Sequence, residues 1–275
     1  NYKYVITHLC DLRAGFIYLV SVLWVKLLTL RDNCYIISFC MECDKMFERV
    51  ISLVGESNYQ KIKNTTVLVV GLGGVGGYAM ESLIRSGIHN IILVDYDNID
   101  ITNLNRQIIT NNTNIGKPKV KEAKERILSI NPHCNVKTYQ TFLEEKTINI
   151  LTENKIDYIV DACDSVPAKK LLIKYSLDNN IKLISSMGTA NKIDPTKLTV
   201  TDIRKTSYDP LAKILRKYVN DLKTNKKVMV VSSTEMPIRK DCLSSLVYVP
   251  ATAGLLCSNY IIKDIINKKE DVNND

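Results

Sequence analysis

Short apolar runs alternate with amphipathic stretches along this chain from residue 47 onward. The apolar runs predict strands at 65–70, 90–95, 135–142, 158–163, 182–186 and 197–203. The stretches around them predict helices at 55–63, 76–86, 118–129, 144–153, 167–178, 210–222 and 251–266. Strands that alternate with helices predict an α/β fold with a Rossmann-like, doubly wound and mostly parallel sheet that has helices on both faces.

Residues 1–45 do not follow this pattern. Their apolar segment at 15–30 is interrupted by Lys26 and is shorter than the ~20 residues of a membrane-spanning helix. It is either a signal-like or anchoring segment or sequence upstream of a true start at Met41 or Met46. We favour the upstream sequence and leave residues 1–45 unassigned. We therefore predict a cytoplasmic protein without stable membrane insertion.

The composition is that of an ordinary globular protein with a modest basic excess. Of the 275 residues, 45% are hydrophobic and 24% are charged, and a net charge of +8 is compatible with a polyanionic partner without requiring one. The eight cysteines lack a disulfide-like spacing. Cys40 and Cys43 form a single C-x-x-C pair, whereas a structural zinc site normally has two. We therefore expect reduced thiols and no zinc.

The stretch TTVLVVGLGGVGG at 65–77 places a glycine-rich turn between a predicted strand and a predicted helix. Gly71, Gly73 and Gly76 fit G-x-G-x-x-G, and Gly74 lies in the same turn. Such a turn holds a nucleotide pyrophosphate at the helix N-terminus. Asp95 ends the next predicted strand, where a carboxylate binds a ribose hydroxyl. These features suit NAD and ATP equally.

The next segment, DYDNIDITNLNRQ at 95–107, favours ATP. A dehydrogenase needs apolar walls around a nicotinamide, whereas this segment supplies the polar side chains of Asp97, Asn103, Asn105, Arg106 and Gln107. Arg106 and the later Lys119 can neutralise phosphate charge during transfer. Asp164 follows the fourth predicted strand and can hold Mg²⁺ together with phosphates. Each also has an ordinary alternative: a surface ion pair for Arg106, a solvated helix lysine for Lys119 and a helix cap for Asp164.

These motifs resemble the ubiquitin-activating-enzyme-like superfamily of adenylating enzymes. The stretches 69–107, 115–120 (IGKPKV), 130–134 (INPHC) and 160–165 (VDACDS) match its nucleotide half in order and spacing. The resemblance implies that residues 46–190 are an ATP-binding adenylation core. The residues that match functional positions of the superfamily are Gly74, Asp95, Asn105, Arg106, Lys119 and Asp164. It also implies a homodimer in which Arg49 of one subunit reaches the ATP phosphates of the other.

The second half of the chain resembles the tRNA threonylcarbamoyladenosine dehydratase branch of that superfamily. The stretches 184–217, 232–237 and 249–266 match this branch, so residues 191–275 carry the substrate-side elements of the same domain. The resemblance implies ATP-dependent dehydration of N6-threonylcarbamoyladenosine beside the tRNA anticodon to its cyclic form, through an acyl-adenylate. It also suggests a cysteine desulfurase or sulfur-acceptor system as a partner. Between Pro237 and Val249 the chain is shorter than this branch, which bears on tRNA binding.

The basic stretch 204–227 is the predicted tRNA contact. Its candidate residues are Arg204, Lys205, Arg216 and Lys217, with Tyr208 and Tyr218 available to stack a base. The alternative is a solvated helix face. Cys163 could accept an acyl group, but its place at a strand end favours a buried role.

Three other functions stay open from the sequence. The first is an adenylyltransferase that activates the C-terminus of a ubiquitin-like sulfur-carrier protein. The others are an inactive ATP-binding scaffold and, least favoured, an NAD oxidoreductase.

Overall fold

The structure is a computed structural model, which describes residues 45–268. The chain divides into residues 1–48 and residues 49–275, and the second unit contains the whole sheet. The apolar segment at 15–30, the Cys40 and Cys43 pair and the candidate start at Met41 lie outside the described residues. Within the described part, no helix combines the length and the apolar character needed to cross a bilayer.

Helices and strands alternate through the described residues. The helices are α1 Glu48–Val54, α2 Glu56–Asn64, α3 Gly76–Arg85, α4 Lys119–Ile130, α5 Asn149–Thr152, α6 Val166–Asp178, α7 Pro210–Asp221 and α8 Tyr248–Asn267. The strands are β1 Thr66–Val70, β2 Asn90–Val94, β3 Asn135–Tyr139, β4 Tyr158–Asp161, β5 Lys182–Ser186, β6 Leu198–Asp202 and β7 Met229–Ser233.

The seven strands form one sheet in the order β3-β2-β1-β4-β5-β7-β6. All neighbouring pairs are parallel except β6 and β7, which are antiparallel. The predicted fold class, a doubly wound and mostly parallel α/β sheet, is confirmed. The strand order reverses between β1 and β4, and ligands of such sheets bind at the carboxyl ends of the strands beside this reversal.

Both faces of the central strands are buried, as expected for parallel strands covered by helices. On β1, Val67 and Val69 belong to an apolar core shared with α3, α4 and α8. Leu68 and Val70 belong to a second core on the opposite face, shared with α5, α6 and α7. The two cores fix the sheet between two helical layers, so the loops at its carboxyl edge start from rigid strand ends.

Two helices that begin at this edge have side-chain caps. Ser165 accepts a hydrogen bond from the backbone N–H of Ala168 at the start of α6, with an oxygen to nitrogen distance of 3.4 Å. Asp209 accepts one from Ala212 at the start of α7, at 3.0 Å. Because these caps satisfy otherwise unpaired N–H groups, they set where each helix begins.

The element boundaries differ from the predicted ones mainly at strand ends. Strand β3 ends at Tyr139, where its pairing with β2 ends, rather than at residue 142. Strand β4 ends at Asp161 rather than at residue 163. The predicted helix at 144–153 is a 3₁₀ turn followed by the four-residue α5. The prediction also omits α1 and β7, although the apolar run at 228–231 resembles the other strands.

Candidate active site

A cavity of about 510 Å³ opens at the carboxyl edge of the sheet, beside the β1 and β4 reversal. Its volume is in the usual range for small-molecule sites. Ten predicted site residues line it: Gly71, Gly73, Gly74, Asp95, Asp97, Asn103, Arg106, Gln107, Lys119 and Asp164. The other seven do not line it: Arg49, Gly76, Asn105, Arg204, Lys205, Arg216 and Lys217.

Close backbone contacts explain the glycine turn after β1. Gly71 has a φ of 87°, and a Cβ there would lie 2.7 Å from the Ala162 carbonyl oxygen. A Cβ on Gly76 would lie 1.7 Å from the Gly71 carbonyl oxygen. Helix α8 closes the other side, since a Cβ on Gly254 would lie 2.3 Å from the Val75 carbonyl oxygen. Only glycine allows strand, turn and both helices to approach this closely.

Asp95 supports the glycine turn as well as facing the cavity. Its Oδ2 accepts a 2.6 Å hydrogen bond from the Leu72 backbone N–H, and its Oδ1 accepts one of 2.8 Å from Asp97. Burial raises the pKa of Asp95 above its usual range. A carboxylate has about four acceptor positions, so both oxygens keep capacity for a ribose hydroxyl. The sequence did not indicate that the Asp95 carboxylate also binds backbone N–H groups.

Lys119 and Asp97 form an ion pair inside the cavity wall. The Lys119 Nζ lies 2.7 Å from the Asp97 Oδ2, and the Lys119 backbone N–H donates to the Asp97 carbonyl at 3.0 Å. The lysine side chain is 6% exposed, so it is not a solvated helix lysine. The pair places a fixed cation at the cavity, as phosphate binding requires.

Arg106 faces the cavity without a carboxylate partner among the described residues. Its Nη1 donates to the Thr102 carbonyl at 2.8 Å and to the Asn105 Oδ1 at 2.9 Å. The surface ion pair that was the alternative for Arg106 is therefore absent from this part of the chain. Because its partners are neutral, the guanidinium keeps its full charge for an anionic ligand.

Asn105 does not line the cavity but bonds to residues that do, whereas Asn103 and Gln107 are buried in its wall. The Asn105 Nδ2 donates to the Ser245 carbonyl at 2.9 Å. The Asn103 Oδ1 accepts from the Asp100 backbone N–H at 3.2 Å and so closes a capping box. Gln107 lies beside Gly73, and its Oε1 has no hydrogen-bond partner among the described residues. A ligand or water in the cavity would satisfy that amide.

Asp164 is exposed at the cavity, and no hydrogen bond or ion pair engages its carboxylate within the described residues. The neighbouring Ser165 caps α6, so the helix-cap alternative for Asp164 is wrong. No group of three or more His, Cys, Asp or Glu side chains between residues 45 and 268 is arranged to hold a metal ion. A single carboxylate does suit Mg²⁺, which usually keeps several waters and binds substrate phosphates.

A buried polar network lies directly behind the Asp164 loop. Lys169 and Asp161 are both 0% exposed, with 3.0 Å between Nζ and Oδ1. Ser185 donates to the Asp161 Oδ2 at 2.6 Å, and the Cys163 thiol donates to the Oδ1 at 3.1 Å. Burial opposes the charge on Lys169, but the Asp161 carboxylate outweighs it and raises the pKa of Lys169. Such a satisfied network fixes the loop that carries Asp164.

The same network makes Cys163 a poor nucleophile. Burial and the nearby Asp161 carboxylate raise the pKa of the Cys163 thiol well above its usual range. A thiol rather than a thiolate is therefore present at neutral pH. The position of Cys163 thus supports the structural role over the acyl-acceptor role.

An exposed aromatic pair lines the cavity beside Asp95. The rings of Tyr96 and Phe142 are stacked, with 3.4 Å between their centroids and 20° between their planes. The Asp97 carboxylate, slight burial and Asp164 raise the pKa of Tyr96. The sequence does not indicate this pair, because Phe142 ends a predicted strand and Tyr96 lies in a segment distinguished by its polar side chains.

The β5 side of the cavity is closed by residues 243–245, which we call the strap. Asn191, which has a φ of 58°, donates its N–H to the Ser244 carbonyl at 2.7 Å and accepts from the Ser244 N–H at 2.8 Å through Oδ1. Its own carbonyl accepts from Ile238 at 2.7 Å. Together with the Asn105 bond to Ser245, these contacts tie the strap to both walls. No sequence motif indicates this arrangement.

The predicted tRNA residues lie outside the cavity and differ in their contacts. Arg204 donates to the Asp202 carboxylate and to the Thr224 carbonyl. Arg216 donates to both the backbone carbonyl and the hydroxyl of Thr206. Lys205 and Lys217 are exposed and make no such contacts with residues 45–268. The two arginines therefore hold loops around α7, whereas the two lysines face solvent. Arg49 is exposed on α1.

The ThiF family model matches residues 47–275. A tRNA threonylcarbamoyladenosine dehydratase of Bacillus subtilis (strain 168) is 39% identical over 243 residues, which cover 82% of this chain and 96% of that protein. The chain belongs to the ThiF family, in its tRNA threonylcarbamoyladenosine dehydratase branch. The enzyme of that name from Escherichia coli (strain K12) is 38% identical over 209 residues, covering 75% of this chain and 76% of that dehydratase.

Solved structures of the E. coli dehydratase, TcdA, have the same fold. The structure in complex with AMP is similar with a TM-score of 0.77 and 35% identity, and the match covers 81% of this chain and 94% of that one. A further structure of TcdA contains ATP, with a TM-score of 0.76. The family thus includes a dehydratase that has been crystallised with ATP and with AMP.

Proposed function

We propose that this protein uses ATP to dehydrate N6-threonylcarbamoyladenosine in tRNA, beside the anticodon, to its cyclic form. The observation that carries the proposal is the joint lining of one cavity by the glycine turn, the unpaired Arg106, the Lys119 and Asp97 pair and the free Asp164. The dehydratase relatives and the ATP complex of TcdA support it. Activation of a carrier protein is not favoured.

The first step makes a poor electrophile reactive. A carboxylate oxygen of the substrate attacks the α-phosphorus of ATP, the bond to the bridging oxygen breaks, and pyrophosphate leaves. Arg106 and Lys119 supply positive charge where negative charge develops on the phosphates. The glycine turn presents backbone N–H groups at the start of α3. The product is an acyl-adenylate whose leaving group is AMP.

The second step closes the ring. The neighbouring carbamoyl group attacks the acyl carbon, loses a proton and expels AMP, so the nucleoside loses one water overall. Because both groups belong to one side chain, the effective molarity is high and no protein nucleophile is needed. The raised pKa of the Cys163 thiol is compatible with this route.

We also propose that Asp164 holds Mg²⁺ together with ATP phosphates. Its exposed carboxylate has no protein partner in the described residues, and this suits a metal that binds through one or two carboxylates. When bound, the ion neutralises phosphate charge. The buried Lys169 and Asp161 pair keeps the loop of Asp164 in place.

Our proposals for tRNA binding and for dimer formation each rest on one or two exposed residues. Lys205 and Lys217 are the proposed phosphate contacts, because Arg204 and Arg216 are engaged in loop contacts. We also propose a homodimer in which Arg49 of one subunit acts in the site of the other. Its support is that Arg49 is exposed and does not line the cavity of its own subunit. A sulfur-acceptor partner stays a prediction from the resemblance.

The proposed compartment is the cytoplasm. Its support is the reduced state of the cysteines in the described part, Cys134, Cys163, Cys242 and Cys257, which form no disulfides there. Thiols of this kind are typical of a reducing compartment.

The test is mass spectrometry of anticodon nucleosides after incubation of threonylcarbamoyl-modified tRNA with the protein and MgATP. We expect the modified nucleoside to lose one water, with AMP and pyrophosphate formed, and no change without ATP. Asp164→Asn should abolish the conversion, whereas the exposed Asp178→Asn on α6 should retain it. If the wild-type protein left the tRNA unchanged but exchanged pyrophosphate in the presence of a ubiquitin-like carrier, the proposal would be wrong.

A further inference from the structure

Part of the cavity wall lies outside the groups that the adenylation step uses. This part, which we call the acceptor end, is lined by Thr189, Ala190 and the strap, and the Asn105 bond to Ser245 joins it to the side of the cavity that carries Arg106. None of these lining residues carries a charge, whereas Asp95, Asp97, Arg106, Lys119 and Asp164 line the other end. Without a cation the acceptor end does not suit the β- and γ-phosphates of ATP. It suits a neutral polar group.

Thr189 is the free hydrogen-bonding group of this end. Its side chain is half-buried, and its hydroxyl makes no hydrogen bond within the described residues. Polar groups of the surrounding wall are largely satisfied, since Ser245 donates to the Leu246 carbonyl and Ser244 is bound through its backbone to Asn191. A half-buried hydroxyl left free in such a wall has one donor and two acceptor positions for a ligand.

A buried ion pair holds the wall in place. Lys192 and Asp209 are each 1% exposed, with 3.8 Å between Nζ and Oδ2. The Asp209 Oδ2 accepts from the Gly188 N–H at 2.7 Å, and Lys192 donates to the Gly188 carbonyl at 2.8 Å. Both polar backbone atoms of the residue before Thr189 are thus fixed by charged groups. Buried charges are costly, so their use behind a surface wall indicates that its position matters.

The region after Thr189 is fixed as well. Asn191 takes a left-handed φ of 58°, makes two hydrogen bonds to Ser244 of the strap and accepts a third from Ile238. Non-glycine residues adopt this conformation rarely and at some cost. Thr189 therefore lies between Gly188 and Asn191, which are both held by hydrogen bonds, and binding sites hold their contact groups in this way.

We propose that Thr189 positions the neutral aminoacyl-urea part of the substrate, so that its carboxylate points to the charged end of the cavity. This inference rests on the proposed function and specifies where that substrate lies. A hydroxyl can donate to the urea carbonyl or to the substrate's own hydroxyl and can accept from a urea N–H. The carboxylate then meets Arg106 and the α-phosphate rather than a cation at the acceptor end.

The test is a comparison of Thr189→Val with the wild-type protein, using tRNA that carries threonylcarbamoyl-adenosine or its glycyl analogue, which lacks the hydroxyethyl group. Valine keeps the shape and removes the hydroxyl. We expect the KM for threonylcarbamoyl-tRNA to rise about 3- to 10-fold, from the worth of one hydrogen bond, with the KM for ATP unchanged. We also expect the preference between the two tRNAs to change. Thr189→Ser should restore the wild-type values.

The matched control is Thr201→Val, on edge strand β6. Its side chain is also half-buried without a hydrogen bond in the described residues, but it lies outside the cavity. If Thr189→Val left both the KM and the preference as in Thr201→Val, the inference would be overturned while the proposed function stood. If the wild-type protein converted neither tRNA, the proposed function would fail and this inference with it.

Discussion

The charged end of the cavity comes from the stretch 71–119 together with Asp164, whereas the acceptor end joins residues 189–190 to the strap at 243–245. Backbone contacts hold the first: Gly71 packs on Ala162, and Asp95 binds two backbone N–H groups. Side-chain contacts between distant residues hold the second. Most groups of the nucleotide end therefore lie close together in the sequence. The acceptor end depends on contacts between residues far apart in the sequence, and the Asn105 bond to Ser245 links the two ends.

The largest effect is expected from removing charge at the nucleotide end. Arg106→Ala should lower kcat about 10²–10³-fold, the usual loss when one group that stabilises transition-state charge is removed. Single-turnover measurements with modified tRNA and MgATP would show it. Arg85→Ala is the control, because this arginine pairs with Glu81 on α3, away from the cavity. If Arg106→Ala lowered kcat by less than about threefold, the guanidinium would not stabilise the transition state.

Substituting a glycine in the turn at the charged end should lower the free energy of unfolding. Gly71→Ala meets both a φ of 87° and a contact of 2.7 Å with Ala162, whereas Gly116→Ala meets a φ of 85° and open space. We expect the first to lower the free energy of unfolding by about 2–4 kcal/mol and the second by about 1 kcal/mol, because overpacking adds to strain. Urea unfolding measures both. Equal losses would show that the close approach contributes nothing.

At the acceptor end, Asn191→Gly tests the strap while keeping the left-handed backbone. It removes the Asn191 Oδ1 that accepts from Ser244, so we expect the KM for modified tRNA to rise about 3- to 10-fold. The KM for ATP should not change. Asn180→Gly, at another left-handed position with a φ of 55°, is the control. A parallel rise in both KM values would mean that the two ends are not independent.

The smallest effect concerns Cys163, which is half-buried in the cavity wall. Its raised pKa means that the thiolate forms only as pH rises above the usual cysteine range, so iodoacetamide at pH 8 should label Cys242 well before Cys163. Peptide mapping by mass spectrometry follows both rates, and labelling of Cys163 should accelerate as pH is raised further. Equal rates at pH 8 would contradict the buried-thiol role.

The difference between the two ends also explains which site residues could be predicted from the sequence. The glycine turn, Asp95, Arg106, Lys119 and Asp164 follow strand ends in chain order, so the parallel fold itself predicts that they meet at one edge. The direction of a side chain is not predictable in that way: Asn105 lies in the same motif but binds Ser245, 140 residues later.

The acceptor end could not be predicted at all from the sequence. Asn191 meets Ser244 across 53 residues, through a backbone conformation that no local pattern indicates. Arg204 and Arg216 illustrate the same limit, because a basic stretch does not indicate the loop carbonyls that these arginines bind. Hydrogen bonds between distant loops are set by tertiary packing, which composition and periodicity do not report.

The packing of α8 against the glycine turn has a consequence for synthesis of the chain. Gly254 lies against the Val75 carbonyl and Pro250 against Gly74, so the turn after β1 is completed by a helix made almost 180 residues later. During translation, the nucleotide motif emerges long before the helix that encloses it. We expect nascent chains that stop before residue 248 to bind ATP weakly, so the chain acquires its full affinity for ATP only after α8 has been synthesised.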